Sequence, residues 1–297
     1  MRQTGNSTTS ERPLRGKAVT PHVWPLAPAA AFYTIFFGLP MICLLVLSFW
    51  QAKAFVLIPD FTFSNYEKAI ATDLYRRLMV RTIAVGLVTA CIVVPIAFAL
   101  SYLMRFVLER RAQVILQLFL LSLFSGYLVR IYAWRTILGK QGLLNALLLW
   151  LGLIDEPLGF LIYSNFAVVL TLVGLLLPLA VLPIYSAMTN VSREHVEAAR
   201  DLGSRGAHLI RTILLPMTLP GVQASFAFAF LLAAGDFVTP ALVGGSQSLL
   251  IGNIVADQFR GVGSNWPLGA ALAFVIMTVV LLIYFAIMRV VRWATTS

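Results

Sequence analysis

Val191-Ser-Arg-Glu-His-Val-Glu-Ala-Ala-Arg-Asp-Leu-Gly203-Ser-Arg-Gly-Ala-His-Leu-Ile-Arg-Thr-Ile-Leu-Leu-Pro216 is the stretch on which the fold turns. Ser192 is a good N-cap, and Glu194 and Glu197 fall in the opening turns, where the helix dipole favours carboxylates. Gly203 stands where a helix end wants a left-handed residue. Ser204 is placed to cap a second helix from about Arg205 to Leu214, after which Pro216 and Pro220 open an apolar run. The pattern predicts two short helices joined at a glycine corner on the cytoplasmic surface of a membrane. Ala198 and Ala199 keep one face flat enough for a partner's backbone to approach.

Apolar runs lie on both sides of this loop, at about 163–188 and 218–239, and four more at about 26–49, 82–104, 113–133 and 267–288. An apolar stretch of about 20 residues crosses a bilayer as a helix. The expectation is an all-α polytopic membrane protein with six transmembrane helices. Composition agrees: 60% of the 297 residues are hydrophobic and 11% charged, where soluble domains average about 45–50% and 25%. The segment Gln141–Ile154 is apolar but only about 14 residues long, which suits an interfacial or re-entrant helix. Counted as a seventh span, it would move the C-terminus to the other side.

Basic residues set the orientation. With six spans and the N-terminus inside, the 22 Lys and Arg divide 13 inside to 9 outside, which places both termini in the cytoplasm. The net charge of +10 is therefore a matter of topology, since no basic stripe with interleaved aromatics marks a nucleic-acid surface. Residues 1–24 read as a polar cytoplasmic tail, and residues 25–297 as the membrane domain with its loop at 190–217. The small-residue stretch Ala27-Pro-Ala-Ala30 precedes the first apolar run, whereas a signal-peptidase site must follow one, so that run is a retained span. Cys43 and Cys91 sit in apolar runs and form no disulfide framework or metal cluster. The outer loops at about 50–80 and 134–162 are longer than a connection needs and suit a docking surface.

Glu197-Ala198-Ala199, three residues, Gly203, nine residues, Ile213, one residue, then Leu215-Pro216 resembles the EAA loop of binding-protein-dependent ABC transporter permeases at every fixed position. The resemblance extends over about residues 30–290. It implies the type I importer permease fold and a loop that docks on an ATPase through Glu197, Ala198, Ala199, Asp201, Gly203, Ile213 and Pro216. It also implies partners: two ATP-binding cassette subunits, a second permease that is often a different chain, and an extracytoplasmic solute-binding protein. ATP and Mg would sit on the ATPase subunits, with no cofactor in this chain, and the complex would lie in a bacterial inner membrane. The segments Arg130-Ile-Tyr132, Asn145–Asp155, Leu182-Pro-Ile-Tyr185, Phe237-Val-Thr-Pro240, Ile251-Gly-Asn253 and Asn265–Ala270 are similar to spermidine/putrescine permeases. That branch implies a polyamine cargo; its relatives also import opines, amino-acid-like compounds and phosphonates.

Gly244-Gly-Ser-Gln247 is not an ATPase signature, and no G-x-x-x-x-G-K-[ST] phosphate cradle occurs, so ATP hydrolysis belongs to another chain. Asp236 is the one acid within or at the end of an apolar run. It reads either as a carboxylate for a cationic cargo or as a structural partner, because ionisable groups at membrane depth face a cavity or a counter-group. Tyr132, Trp134 and Tyr163, near outer helix ends, suit either cation contact or an interfacial aromatic belt. His195 and His208 read as solvated loop residues rather than metal ligands. Pro40, Pro95, Pro178 and Pro183 fall within spans and are expected to kink them. A secondary transporter would show inverted repeats and buried ion-coupling groups, and an enzyme would show convergent nucleophile, base or metal ligands; neither pattern is present.

Overall fold

The computed structural model describes residues 27–53, 56–204, 206–260 and 263–296; the tail at 1–24 and Arg205 lie outside them. The chain divides into two units, residues 1–43 and 44–297. The described part of the first unit is helical, in a helix α1 that runs Pro28–Ser48 and whose apolar window holds no buried residue. The second unit holds the packed body.

Three long helices form that body: α3 (Asp73–Val107), α7 (Asn165–Thr189) and α9 (Ala207–Gly235). At 1.5 Å per residue, the 35 residues of α3 reach roughly 50 Å, well beyond a hydrocarbon core of about 30 Å. Phe230, Ile184, Met188 and Met104 are fully buried where the three meet. Lipid is as apolar as leucine, so close packing and buried hydrogen bonds must hold such helices together. The crossing of α7 and α9 shows how: a Cβ on Gly221 would stand 2.4 Å from the Pro183 carbonyl oxygen, so only glycine fits. One turn on, the Ser225 hydroxyl donates to the Ala180 carbonyl.

The remaining elements flank this core. A short antiparallel hairpin, β1 (Gln51–Lys53) and β2 (Val56–Ile58), precedes α2 (Ser64–Ala71). The buried Asn65 amide donates to the Ser48 and Trp50 carbonyls and fixes this corner. Then come α4 (Glu109–Phe124), α5 (Tyr127–Leu138) and α6 (Leu143–Trp150) before α7. After α7 follow α8 (Arg193–Asp201), α9, α10 (Ile251–Phe259) and α11 (Trp266–Thr296).

Among the described residues, five helices are long and apolar enough to cross a membrane, and six crossings result when one bent pair counts as a span. That pair corrects the continuous third span expected at 113–133. The helix breaks at Ser125-Gly126, where ψ is 134° and 137°, and α4 meets the α5–α6 segment at 100°. The break is locally satisfied: the Ser125 amide turns back to the Ser122 carbonyl, and the Gly126 carbonyl accepts from the Arg130 amide. A window average of hydropathy is blind to two adjacent extended residues. The segment at 141–154 yields only α6, whose 8 residues reach about 12 Å, too short to cross. Buried Asn145 pins it, donating to Gly139 O and accepting from the Leu158 amide at 2.8 Å.

Candidate coupling surface and membrane cavity

The loop between α7 and α9 is built from its caps. Ser192 is the N-cap of α8, its Oγ accepting from the His195 amide at 3.3 Å. At the other end the Gly203 amide donates to Arg200 O and the Ser204 amide to Ala199 O, both at 2.9 Å. These are the two bonds of a Schellman motif, and they require the left-handed backbone that Gly203 adopts at φ +88°. Along α8, Val196 and Ala199 turn inward and pack with Val191, Leu209 and Leu214 on Phe98, Tyr102 and Phe106. Glu197, Ala198 and Asp201 face out, and Leu202, 90% exposed, crowns the corner.

Three sequence expectations change here. Ala199 is buried and serves the interior, so the flat outer face is Ala198 alone. Ser204 does not cap a second helix: its Oγ is buried without a hydrogen-bond partner among the described residues, and Gly206, with φ +55°, precedes the next helix instead. That helix is also not separate. It continues through a π-turn at Ile210–Leu214, where the Leu215 amide reaches back to Ile210 O, into α9. Pro216 has no amide to give, and the wider turn places it without a break. Ile213 is partly buried against the α8 cluster, whereas Pro216 is exposed.

Residues outside the expected set tie α8 to the body. Glu109, at the start of α4, pairs with Arg193 and, at 3.6 Å, with Arg105. Arg105 also donates to Val191 O at 3.2 Å, and Arg200 lies 3.4 Å from the Tyr102 hydroxyl. Helix α8 is thereby linked to the α3–α4 junction as well as to α7. The sequence signal was modest: Glu109 is an acid beside Arg110 and Arg111 at a predicted membrane edge.

The four residues named for a translocation pathway do not converge. Asp236, 8% exposed, ends α9 and borders a cavity of about 430 Å3 with Tyr127, Arg130, Leu172 and Leu231. Its Oδ1 accepts from the Val238 and Thr239 amides at 2.8 and 3.2 Å, and its Oδ2 from the Tyr127 hydroxyl at 2.7 Å. Three internal donors occupy the carboxylate. The same cavity holds Arg130, whose guanidinium donates to Leu175 O at 3.3 Å while its Nε has no partner among the described residues. Trp134 packs on Gly174, where a Cβ would meet its ring at 2.2 Å, so it is a packing residue. Tyr132 stands half exposed on α5. Tyr163 is at the end of the body remote from α8, with φ +57°, held by its amide to Val243 O at 2.8 Å and by Arg135 on its hydroxyl at 3.3 Å. His195 is exposed, its Nδ1 against Ser192 Oγ, and no metal-ligating cluster occurs among the described residues.

Comparison with known proteins agrees with this geometry. Residues 19–293 match the family described as binding-protein-dependent transport system inner membrane component. The spermidine/putrescine transport system permease protein PotB of Salmonella typhimurium is 32% identical over 78% of this chain and 81% of its own length. Its counterpart in Haemophilus influenzae is 31% identical over 85% and 89%. Among solved structures, a chain from a bacterial ABC transporter involved in the import of the acidic polysaccharide alginate superposes with a TM-score of 0.73, covering 91% of this chain and 96% of that one. Its 17% identity speaks for the fold alone. The chain belongs to the binding-protein-dependent inner membrane component family and is the membrane permease subunit of an ABC importer.

Proposed function

We propose that this permease carries a polyamine such as spermidine or putrescine, and that α8 is the surface through which a separate ATPase drives it. The observation that carries the coupling reading is the exposed corner: Glu197, Ala198, Asp201 and a nearly bare Leu202 above a fixed Schellman turn. An unpartnered leucine at the tip of a charged helix suits insertion into a partner's groove. Residues Gly203, Ile213 and Pro216 set the angle at which that helix stands, and Glu109 and Arg105 carry its displacement to α3 and α4. Nucleotide-driven closure of two ATPase subunits, which would hold the ATP and Mg, then reorients the helices between outward and inward access. The α8 end faces the cytoplasm of a bacterial inner membrane, together with both termini. The other end meets a soluble binding protein, and a second permease, similar or identical, completes the pathway.

The polyamine reading rests on the names of the relatives and their identity over most of the chain. One observation favours a second reading. Asp236 is occupied by internal donors, and the cation in its cavity is Arg130, which has no carboxylate partner among the described residues and suits a solute bearing a carboxylate, such as an opine or amino acid. Titrating the cognate binding protein with spermidine, putrescine and a zwitterionic amino acid separates the two. Saturable binding of a polyamine alone supports the first reading, and binding of the zwitterion alone replaces it.

A further inference from the structure

A cavity of about 520 Å3 lies between α9, α10 and α11, within the size range of small-molecule pockets. Its walls are apolar, with Leu231, Val255, Ile276, Met277 and Leu281 among them, and its one charged lining residue is Arg260. The lining residues Ala273 to Leu281 stand roughly 10 to 22 Å along α11 from Trp266, so the cavity descends deep into a hydrocarbon core of about 30 Å. Only 17% of the apolar window of α11 is buried within the chain, against 61% for α7, so this side of the body is open to lipid. The mouth is fixed from two sides. The Asn253 side-chain amide donates to the Phe237 carbonyl at 2.7 Å, and a Cβ on Gly269 would stand 2.7 Å from Gln258 Cβ, so α10 lies as close to α11 as a glycine allows. The Arg260 guanidinium lies over the Phe237 ring, 5.4 Å from its centroid. That contact uses the face of the cation and leaves its N–H edge free: among the described residues Arg260 has no carboxylate partner and no side-chain hydrogen bond.

We propose that this cavity holds an acyl chain of an anionic phospholipid whose phosphate is bound by Arg260. A deep apolar slot with a single free cation at its mouth matches an amphiphile with one long tail and an anionic head. The planar guanidinium fork fits phosphate oxygens, and stacking on Phe237 holds that fork in place. A polyammonium cargo fits neither part: Arg260 repels it, and the apolar walls would strip its hydration without return. A lipid seated here wedges between the end of α9 and the middle of α11, whichever solute is carried.

The test uses the assembled transporter in phosphatidylcholine proteoliposomes carrying a trace of phosphatidylglycerol, or of phosphatidylcholine, with a photoactivatable acyl chain. Labelled peptides are identified by mass spectrometry after illumination. The phosphatidylglycerol probe should label residues 251–281 roughly tenfold more than the phosphatidylcholine probe, the worth of one charge-assisted hydrogen bond, and Arg260→Gln should bring that ratio close to one. Arg260 is exposed and touches only the Phe237 ring among the described residues, so this change spares the fold. Ala273→Phe, which fills the slot, should cut labelling by both probes; where that variant fails to accumulate, Arg260→Gln carries the test alone. Equal labelling by the two probes in the wild type, or a phosphatidylglycerol preference that survives Arg260→Gln, overturns the site and leaves an ordinary lipid shell. Absence of label from these helices overturns it as well, and a cysteine at Met277 that cross-links to the second permease would then give the slot to that chain. None of these outcomes touches the assignment of the cargo.

Discussion

Replacing Gly203 by valine perturbs one thing only. A Cβ at this residue meets no atom within 4 Å, so there is no clash to relieve, and the cost is purely that of φ +88° for a β-branched residue. Left-handed backbone costs an L-residue about 1–2 kcal/mol. The Schellman bonds from the Gly203 and Ser204 amides can form only in that conformation, so the strain comes off the corner. A loss of 1–2 kcal/mol lowers the population of the ordered corner about 5- to 30-fold relative to its frayed state. Leu202 and Asp201 then lose their fixed position while α3, α7 and α9, packed elsewhere, do not change. Membrane insertion and detergent thermal stability should match wild type, while co-purification of the ATPase and transport-coupled hydrolysis fall, by at most that factor, as the ordered fraction falls. Gly203→Asn, which tolerates left-handed backbone, should retain most coupling. Normal coupling in Gly203→Val would refute the claim that this corner positions α8.

Three further outcomes follow from named contacts. Gly221→Leu should prevent α7 and α9 from closing, since its Cβ would lie 2.4 Å from Pro183 O, and should abolish accumulation of folded protein, measured by monodisperse elution in detergent. Asp236→Asn keeps an oxygen for the Val238 and Thr239 amides and should preserve folding and most uptake, whereas Asp236→Ala leaves two amides unsatisfied at about 1–3 kcal/mol each and should lower the melting temperature; a polyamine-specific loss in Asp236→Asn would show instead that its charge meets the cargo. With Cys43 and Cys91, both exposed, replaced by alanine, a cysteine at Ser246 should react with a membrane-impermeant thiol reagent added outside intact cells and one at Ala198 should not; the reverse pattern would invert the topology.

The sequence carried the helical architecture because lipid imposes it: α7 at Asn165–Thr189 lies close to the apolar run read at 163–188. Where the chain leaves lipid, hydropathy stops reporting. Helix α3 begins at Asp73, nine residues before the apolar run, because its first turns carry Asp73, Arg76, Arg77 and Arg81, which a hydropathy average does not mark as helix. The break at Ser125-Gly126 was hidden for the opposite reason, an unbroken apolar background. At the loop, Ser192 and Gly203 were legible because caps are local chemistry, and both do what their residue types dictate. Ser204 misled because capping also depends on where the neighbouring helix begins. Asp236 stood out as an acid at membrane depth, but its partner Tyr127 lies 109 residues earlier, beyond any local pattern. Whether Ala198 or Ala199 faced inward depended on the Val196 register, which three-dimensional packing fixed.

The proposed coupling requires α8 to be the surface that an ATPase grips. A cysteine at Leu202, the most exposed leucine of that corner, paired with single cysteines lining the ATPase surface, tests this by disulfide cross-linking in the assembled complex. Leu202→Cys should cross-link to the ATPase chain, in a manner altered by nucleotide, while a cysteine at Ser246 at the far end should not. Cross-linking from Ser246 and none from Leu202 would contradict the assignment of α8 as the coupling surface.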